Sequence, residues 1–189
     1  MNDSDEPELW HRARRNDGDA FGRIFDLHRD RVYRRAFGLL ADRHDAEDVT
    51  AAAFFELWRK RRSVTPVRDS LLPWLLVTTV NLSRNLRRST ARYQRFLRTA
   101  PRESTTTDGP DAADGETHDR LAASLADLSP VDGALLVLTA LDDVPVAQAA
   151  EAVGVTPGAA RVRLHRARAR LRVDLRDLEP ASIHVERTR

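Results

Sequence analysis

Between Gly158 and Arg172 the chain sets six arginines (Arg161, Arg163, Arg166, Arg168, Arg170 and Arg172) into 15 residues without one acid. A guanidinium stays charged and its planar fork binds phosphate bidentately, so this density points to a polyanion. Solvated helices usually alternate the signs of their charges, and this segment does not. Pro145 to Thr156, just before it, reads as a short helix, a turn at Gly154, and an N-cap threonine followed by Pro157 at the first helical position. That is the layout of a helix-turn-helix. At about 100° per residue, Ala160, Leu164, Ala167 and Leu171 form a core stripe on its second helix. Gly158, Arg161, Val162 and His165 then face away, flanked by the remaining arginines.

A second concentration of the same chemistry lies on a helix expected from Leu71 to about Phe96. Leu75, Thr79, Leu82 and Leu86 make its apolar stripe, and Thr78, Asn81, Arg84, Asn85, Arg88 and Arg92 gather on another face. Arginines supply charge for phosphate, and carboxamides supply paired donor and acceptor groups for base edges. A solvated basic face is the other reading of this arc. Trp74 at the helix start has two readings as well, as a base-stacking platform or as a core residue following Pro73.

The helix expected over Asp45 to Arg61 is also two-sided. Ala46, Val49, Ala53, Phe54 and Leu57 share one stripe, and Asp48, Ala51, Ala52, Phe55 and Arg59 fall opposite. Two alanines and a phenylalanine framed by charge would suit a docking helix. The alternative is that Phe55 packs beneath a neighbour.

Other chemistry finds little support. With no cysteine there is no disulfide, thiolate metal site or cysteine nucleophile. The six histidines are never closer than 16 residues, so no local metal pair exists, and no phosphate-binding glycine loop or nucleophile elbow occurs. No catalytic residue, metal or cofactor is expected. The longest uncharged run in the helical part, Ser70 to Ser83, has 14 residues and contains Pro73 and Asn81, whereas a membrane span needs about 20 apolar residues. The opening Met-Asn-Asp-Ser-Asp-Glu lacks the apolar stretch of a secretory signal, so a cytoplasmic location is expected.

The 189 residues are 41% hydrophobic and 32% charged, which suits one domain or two small ones. Net charge is only +2, yet Thr99 to Asp119 holds six acids against Arg102 alone, leaving the rest of the chain strongly basic. Thirty of the 31 basic residues are arginine, Lys60 being the exception. The acidic stretch also carries Pro101, Gly109, Pro110 and Gly115 and almost no large apolar residue, so it reads as a flexible linker. Helix-period patterns dominate on either side of it. The expected architecture is all-α, with two helical lobes joined by that linker. Its parts are an acidic N-terminal tail (1–17), a first lobe (18–98), the linker (99–118), a second lobe (119–175) and a C-terminal tail (176–189). Helices are expected over Asp19 to His28 and Arg29 to Leu40 in the first lobe. In the second, they are expected over Leu121 to Leu128 and Val131 to Leu141, ahead of the helix-turn-helix.

Gly154 to Arg168 resembles the region-four helix-turn-helix of bacterial sigma factors, above all those of the small extracytoplasmic-function group. Asp45-Ala46-Glu47-Asp48-Val49, followed by Phe54 and Leu57-Trp58, is similar to region two of that family. Pro73-Trp74-Leu75, with Asn81-Leu82 and the arginines after them, resembles its minus-ten-recognition helix. The three motifs occur in the family's order and separation. The resemblance implies an initiation subunit that binds core RNA polymerase at the β′ clamp helices and β flap, melts the minus-ten element with region two and holds the minus-thirty-five element with region four.

By the same resemblance, Asp45, Asp48, Ala51, Ala52, Phe55 and Arg59 would contact the clamp. Ser63 and Arg68, in a stretch where the family keeps a base-capturing loop, would join Trp74, Thr78, Asn81, Arg84, Asn85, Arg88 and Arg92 at the minus-ten DNA. Thr156, Gly158, Arg161, Val162, Arg163, His165, Arg166, Arg168 and Arg170 would meet the minus-thirty-five element. Promoter DNA is then a partner beside polymerase, and an anti-sigma factor a further one. The chain departs from the family at Ala51 and Ala52, where a Gln and an acid are usual, which implies a weaker or more apolar clamp contact. It departs again at Asn85, where an aspartate is common, and at Val162, where a small polar residue is frequent. A helix-turn-helix regulator that never binds polymerase is the alternative, but it leaves the first lobe's motifs without a use.

Overall fold

A computed structural model describes residues 6–99, 120–121, 123–125 and 127–176. The expected linker from residue 100 onward and the expected C-terminal tail from 177 onward lie outside the described residues, as do residues 1–5. Seven helices have defined bounds: α1 (Glu6–Arg14), α2 (Gly18–Leu40), α3 (Arg43–Arg59), α4 (Leu72–Thr99), α5 (Pro130–Ala140), α6 (Val146–Ala152) and α7 (Pro157–Asp174). The expected helix over Leu121 to Leu128 is seen as helical residues at 120–121, 123–125 and 127.

The first difference from expectation is α1, which occupies the expected N-terminal tail. Leu9, Trp10 and Ala13 lie on one side of it and are buried in the first lobe's core. The acidic composition of the segment hid that apolar face. A turn with Asn16 in the left-handed region ends α1, and Asp17 caps α2 by accepting from the Ala20 amide at 2.9 Å. The second difference is that α2 is one helix of 23 residues. No proline or glycine interrupts it near His28, and the buried series Ala20, Ile24, His28, Val32, Ala36 and Leu40 recurs every fourth residue through the expected break.

Asp42 caps α3 through the Asp45 amide at 2.9 Å. The stripe of Ala46, Val49, Ala53, Phe54 and Leu57 is buried as its spacing predicts. Phe54 meets Phe25 of α2 edge to face, with ring centroids 4.7 Å apart. Between α3 and α4, Val64 and Val67 turn inward, and a Val67 to Ser70 bridge closes over Arg68 and Asp69, both in the left-handed region. On α4, Leu75 and Thr79 are buried, whereas Leu82 and Leu86 are half-buried against the first lobe.

In the second lobe Ser129 caps α5 through the Asp132 amide at 3.1 Å, and Thr156 caps α7 through the Ala159 amide at 3.2 Å. Gly154, at φ 73, makes the turn between α6 and α7 in a conformation that side chains rarely adopt. The stripe of Ala160, Leu164, Ala167 and Leu171 is buried. The two lobes also meet. Leu39, Leu76 and Val80 of the first lobe belong to the same core as Leu125, Leu135, Leu138 and Leu164 of the second. The α4 residues concerned lie on a different side of the helix from Leu75 and Leu82, so α4 serves two cores at once.

Candidate nucleic-acid interface

On α3 the face opposite the core is open. Asp48, Ala51, Phe55 and Arg59 are exposed, while Asp45 and Ala52 are half-buried. Phe55 is 65% exposed, which removes the reading that packs it beneath a neighbour. Arg59 lies on this face with a partner of its own, since Nε and Nη2 donate to the Glu56 carboxylate at 3.1 and 2.6 Å. Arg59, and after it Lys60, hold the Glu56 carboxyl below its usual range, and Glu56 in turn raises Arg59. Beside this face, Phe25, Tyr33, Thr50 and Ala51 line a shallow hollow between α2 and α3. Tyr33 stacks on Phe37, 45% exposed, at 6.2 Å. Sequence reasoning passed over these two aromatics, although their four-residue spacing on a long helix was a usable signal.

The arc on α4 is divided. Asn85, Arg88 and Arg92 are exposed, and Thr78 and Asn81 are half-buried. Arg84 is not on an open surface: it is 7% exposed and its Nη2 donates to the Leu128 carbonyl of the second lobe. Burial first, and then the nearby Arg88 charge, push its pKa down. Trp74 is half-buried against the first lobe's core, which favours packing over base stacking. Ser63 and Arg68 are exposed, and the Ser63 hydroxyl donates to the Lys60 carbonyl at 3.0 Å. Arg87 and Arg95, absent from the expected set, line an open groove with Asn85, Arg88 and Arg92. Arg87 also donates to the Leu39 carbonyl at 3.2 Å.

Along α7, Gly158, Arg161, Val162, His165, Arg166, Arg168 and Arg170 are all exposed, beyond the exposed cap at Thr156. Val162 is 51% exposed. Arg161, His165, Arg168 and Arg172 line one cleft with Val146 of α6, and no acid shares it. Arg163 departs from expectation, because its Nη1 donates to Asp132 Oδ1 at 2.9 Å and ties α7 to α5. Arg170 has an exposed neighbour in Asp174, at 3.8 Å.

Comparison with known proteins gives the family of the chain. The Sigma-70 region 2 family model matches residues 24–93, and the Sigma-70 region 4 model matches residues 118–171. RNA polymerase sigma factor CarQ of Myxococcus xanthus is 31% identical over 165 residues, covering 85% of this chain and 92% of that protein. The chain belongs to the sigma-70 family of RNA polymerase sigma factors, in its extracytoplasmic-function group. It is a transcription initiation factor. The extracytoplasmic-function sigma factor SigW of Bacillus subtilis is 26% identical over 177 residues, 88% of this chain and 94% of that one.

Solved structures share the fold. CnrH, solved in complex with the cytosolic domain of CnrY, superposes with a TM-score of 0.60 at 24% identity, over 93% of this chain and 99% of that one. The sigma factor RpoE of Bartonella quintana, solved with the anti-sigma factor NepR, gives 0.51 at 22% identity, over 82% of this chain and 96% of that one. In this sigma factor the region 2 match begins within α2 and ends within α4, and α1 precedes it. Among the described residues no helix is long and apolar enough to cross a membrane. Nor does any group of three or more His, Asp or Glu side chains among them stand where it could hold a metal ion.

Proposed function

We propose that this sigma factor docks on the β′ clamp helices of core polymerase through the exposed α3 face of Asp48, Ala51 and Phe55, with Asp45, Ala52 and Arg59 at its border. The exposed part of the α4 arc, Asn85, Arg88 and Arg92, faces the minus-ten DNA, with Ser63 and Arg68 contributing from the preceding loop. The α7 face of Gly158, Arg161, Val162, His165, Arg166 and Arg168 enters the minus-thirty-five major groove, and Thr156 and Arg170 lie at its margins. Region 4 also rests on the β flap. The cytoplasm is the compartment this requires, and binding and orientation rather than catalysis are the work of these surfaces. An anti-sigma factor is a further partner, with the RpoE complex as precedent.

The observation that carries this reading is the acid-free, exposed arginine face of a capped helix-turn-helix, set in one chain with an exposed Phe55 on the region-2 helix. Reconstitution with core polymerase and selection of promoters from a random DNA library tests it. Expected is polymerase-dependent initiation at sites with paired minus-ten and minus-thirty-five elements. DNA selected equally well without polymerase would instead identify a helix-turn-helix regulator.

A further inference from the structure

The arginines of α7 do not occupy its crest. At about 100° per residue, the line opposite the buried stripe of Ala160, Leu164, Ala167 and Leu171 runs through Gly158, Val162, Ala169 and Val173, all of them exposed. Arg161 and His165 lie to one side of that line, Arg166 and Arg170 to the other. The Thr156 cap and the tie from Arg163 to Asp132 at 2.9 Å hold α7 against its own lobe with this line outward. The most prominent part of the helix-turn-helix is therefore a narrow uncharged strip between two basic margins.

Nothing inside the protein asks for the first two residues of that strip. A Cβ added at Gly158 would meet no other part of the protein within 4 Å, and Val162 is 51% exposed. Glycine and valine both form helix less readily than alanine, so neither is there for the sake of α7 itself. Together they make the start of the helix low at Gly158, where a backbone can approach a surface closely, and apolar one turn later at Val162.

We infer that Val162 packs on the 5-methyl group of a thymine in the minus-thirty-five element and so selects an A·T pair at one position. The inference rests on the proposed function in setting α7 in that major groove. A helix about 10–12 Å across fills a groove about 12 Å wide, so its crest meets the floor and its margins meet the phosphate walls. The thymine methyl is the only methyl group that the four unmodified bases place on that floor. Valine offers no hydrogen bond, and over any other base edge it would cover polar groups without pairing them. Val173, 65% exposed on the same line, lies about 16 Å further along the axis, past the N-terminal residues that reach base edges.

The test uses reconstituted holoenzyme and a promoter that it selects. Each thymine of the minus-thirty-five element is replaced in turn by uracil, which removes the methyl group and keeps the pairing and every hydrogen-bonding group. One replacement is expected to weaken binding by the parent about fourfold, the effect of one buried carbon of that size. Val162→Ala, which favours the helix and so does not threaten the fold, should bind the thymine and uracil promoters alike. Val173→Ala should keep the parent's response to uracil. Selected elements without thymine on either strand, a parent that is blind to every uracil, or a uracil loss undiminished in Val162→Ala would each overturn the inference. If Arg161→Ala weakens binding while the parent is blind to uracil, the inference about Val162 fails and the placement of α7 stands. If Arg161→Ala and Val162→Ala both bind as the parent does, the placement of α7 fails and the inference with it.

Discussion

Glu6 and His28, 22 residues apart, meet at 2.7 Å in the interior of the first lobe, and Glu6 Oε1 also accepts the Leu71 amide at 2.7 Å. One carboxylate thereby joins α1, the middle of α2 and the segment that starts α4. The Glu6 side chain is 2% exposed and that of His28 is 7%, so water cannot replace either contact. Glu6→Ala should destabilise the chain by roughly 1 to 3 kcal/mol for each polar group it orphans, read as a lower urea midpoint. Glu6→Gln keeps an acceptor for the Leu71 amide and should lose less. Equal midpoints for Glu6→Ala and the parent chain would show that α1 is not anchored this way.

The clamp assignment has a cleaner test because Phe55 is solvent-exposed. Phe55→Asp with Asp48→Arg should abolish core-polymerase binding while leaving the helical circular dichroism unchanged and the unfolding free energy within about 0.5 kcal/mol of the parent, as for surface changes away from the core. Retained polymerase affinity and transcription would move the docking surface off α3.

Local signals carried far in this chain. The alternation of core and open faces on α3, the cap at Thr156 and the glycine turn before α7 could all be read from neighbouring residues. What escaped was set by distant partners. Arg84 is separated from Leu128 by 44 residues, Arg163 from Asp132 by 31 and Arg35 from Asp142 by 107, and no periodicity reports such pairs. An arginine on a basic helix looks alike whether it faces phosphate or a carboxylate from another element. The α1 segment failed for another reason, in that three buried residues, Leu9, Trp10 and Ala13, sit among enough acids and arginines to pass for a tail.

Asp17 predicts a pH effect. The Ala20 amide first, and then Arg12, hold its carboxyl below the ordinary 3.8, so the folded state favours the charged form. That contribution is present above the unfolded value and disappears as pH falls through the lower folded one. Asp17→Asn keeps a cap acceptor but does not titrate. Urea midpoints of parent and variant should therefore differ most above the unfolded value and draw together as pH falls through the lower folded one. A constant difference across that range would show that the cap geometry matters and the charge does not.

The arginines of α7 divide into three kinds, and alanine substitutions should separate them. Arg161 is exposed in the cleft with His165 and Arg168, near the helix start that the proposed function sets in the major groove, so Arg161→Ala should relax preference at particular minus-thirty-five bases by about 1 to 3 kcal/mol. Arg170 lies more than two turns further along, beside Asp174, at the margin of the proposed reading face. Arg170→Ala should weaken all sequences alike and reduce the salt slope by about 1. Arg163 is held by Asp132 and is 43% exposed, so Arg163→Ala should mainly cost stability, up to about 1 kcal/mol, with base preference unchanged. Binding of reconstituted holoenzyme to a selected promoter and its single-base variants, at two salt concentrations, reads all three. A base-specific loss from Arg163→Ala, with sequence-blind losses from Arg161→Ala, would mean that α7 presents its other side to DNA and that the Asp132 contact gives way on binding.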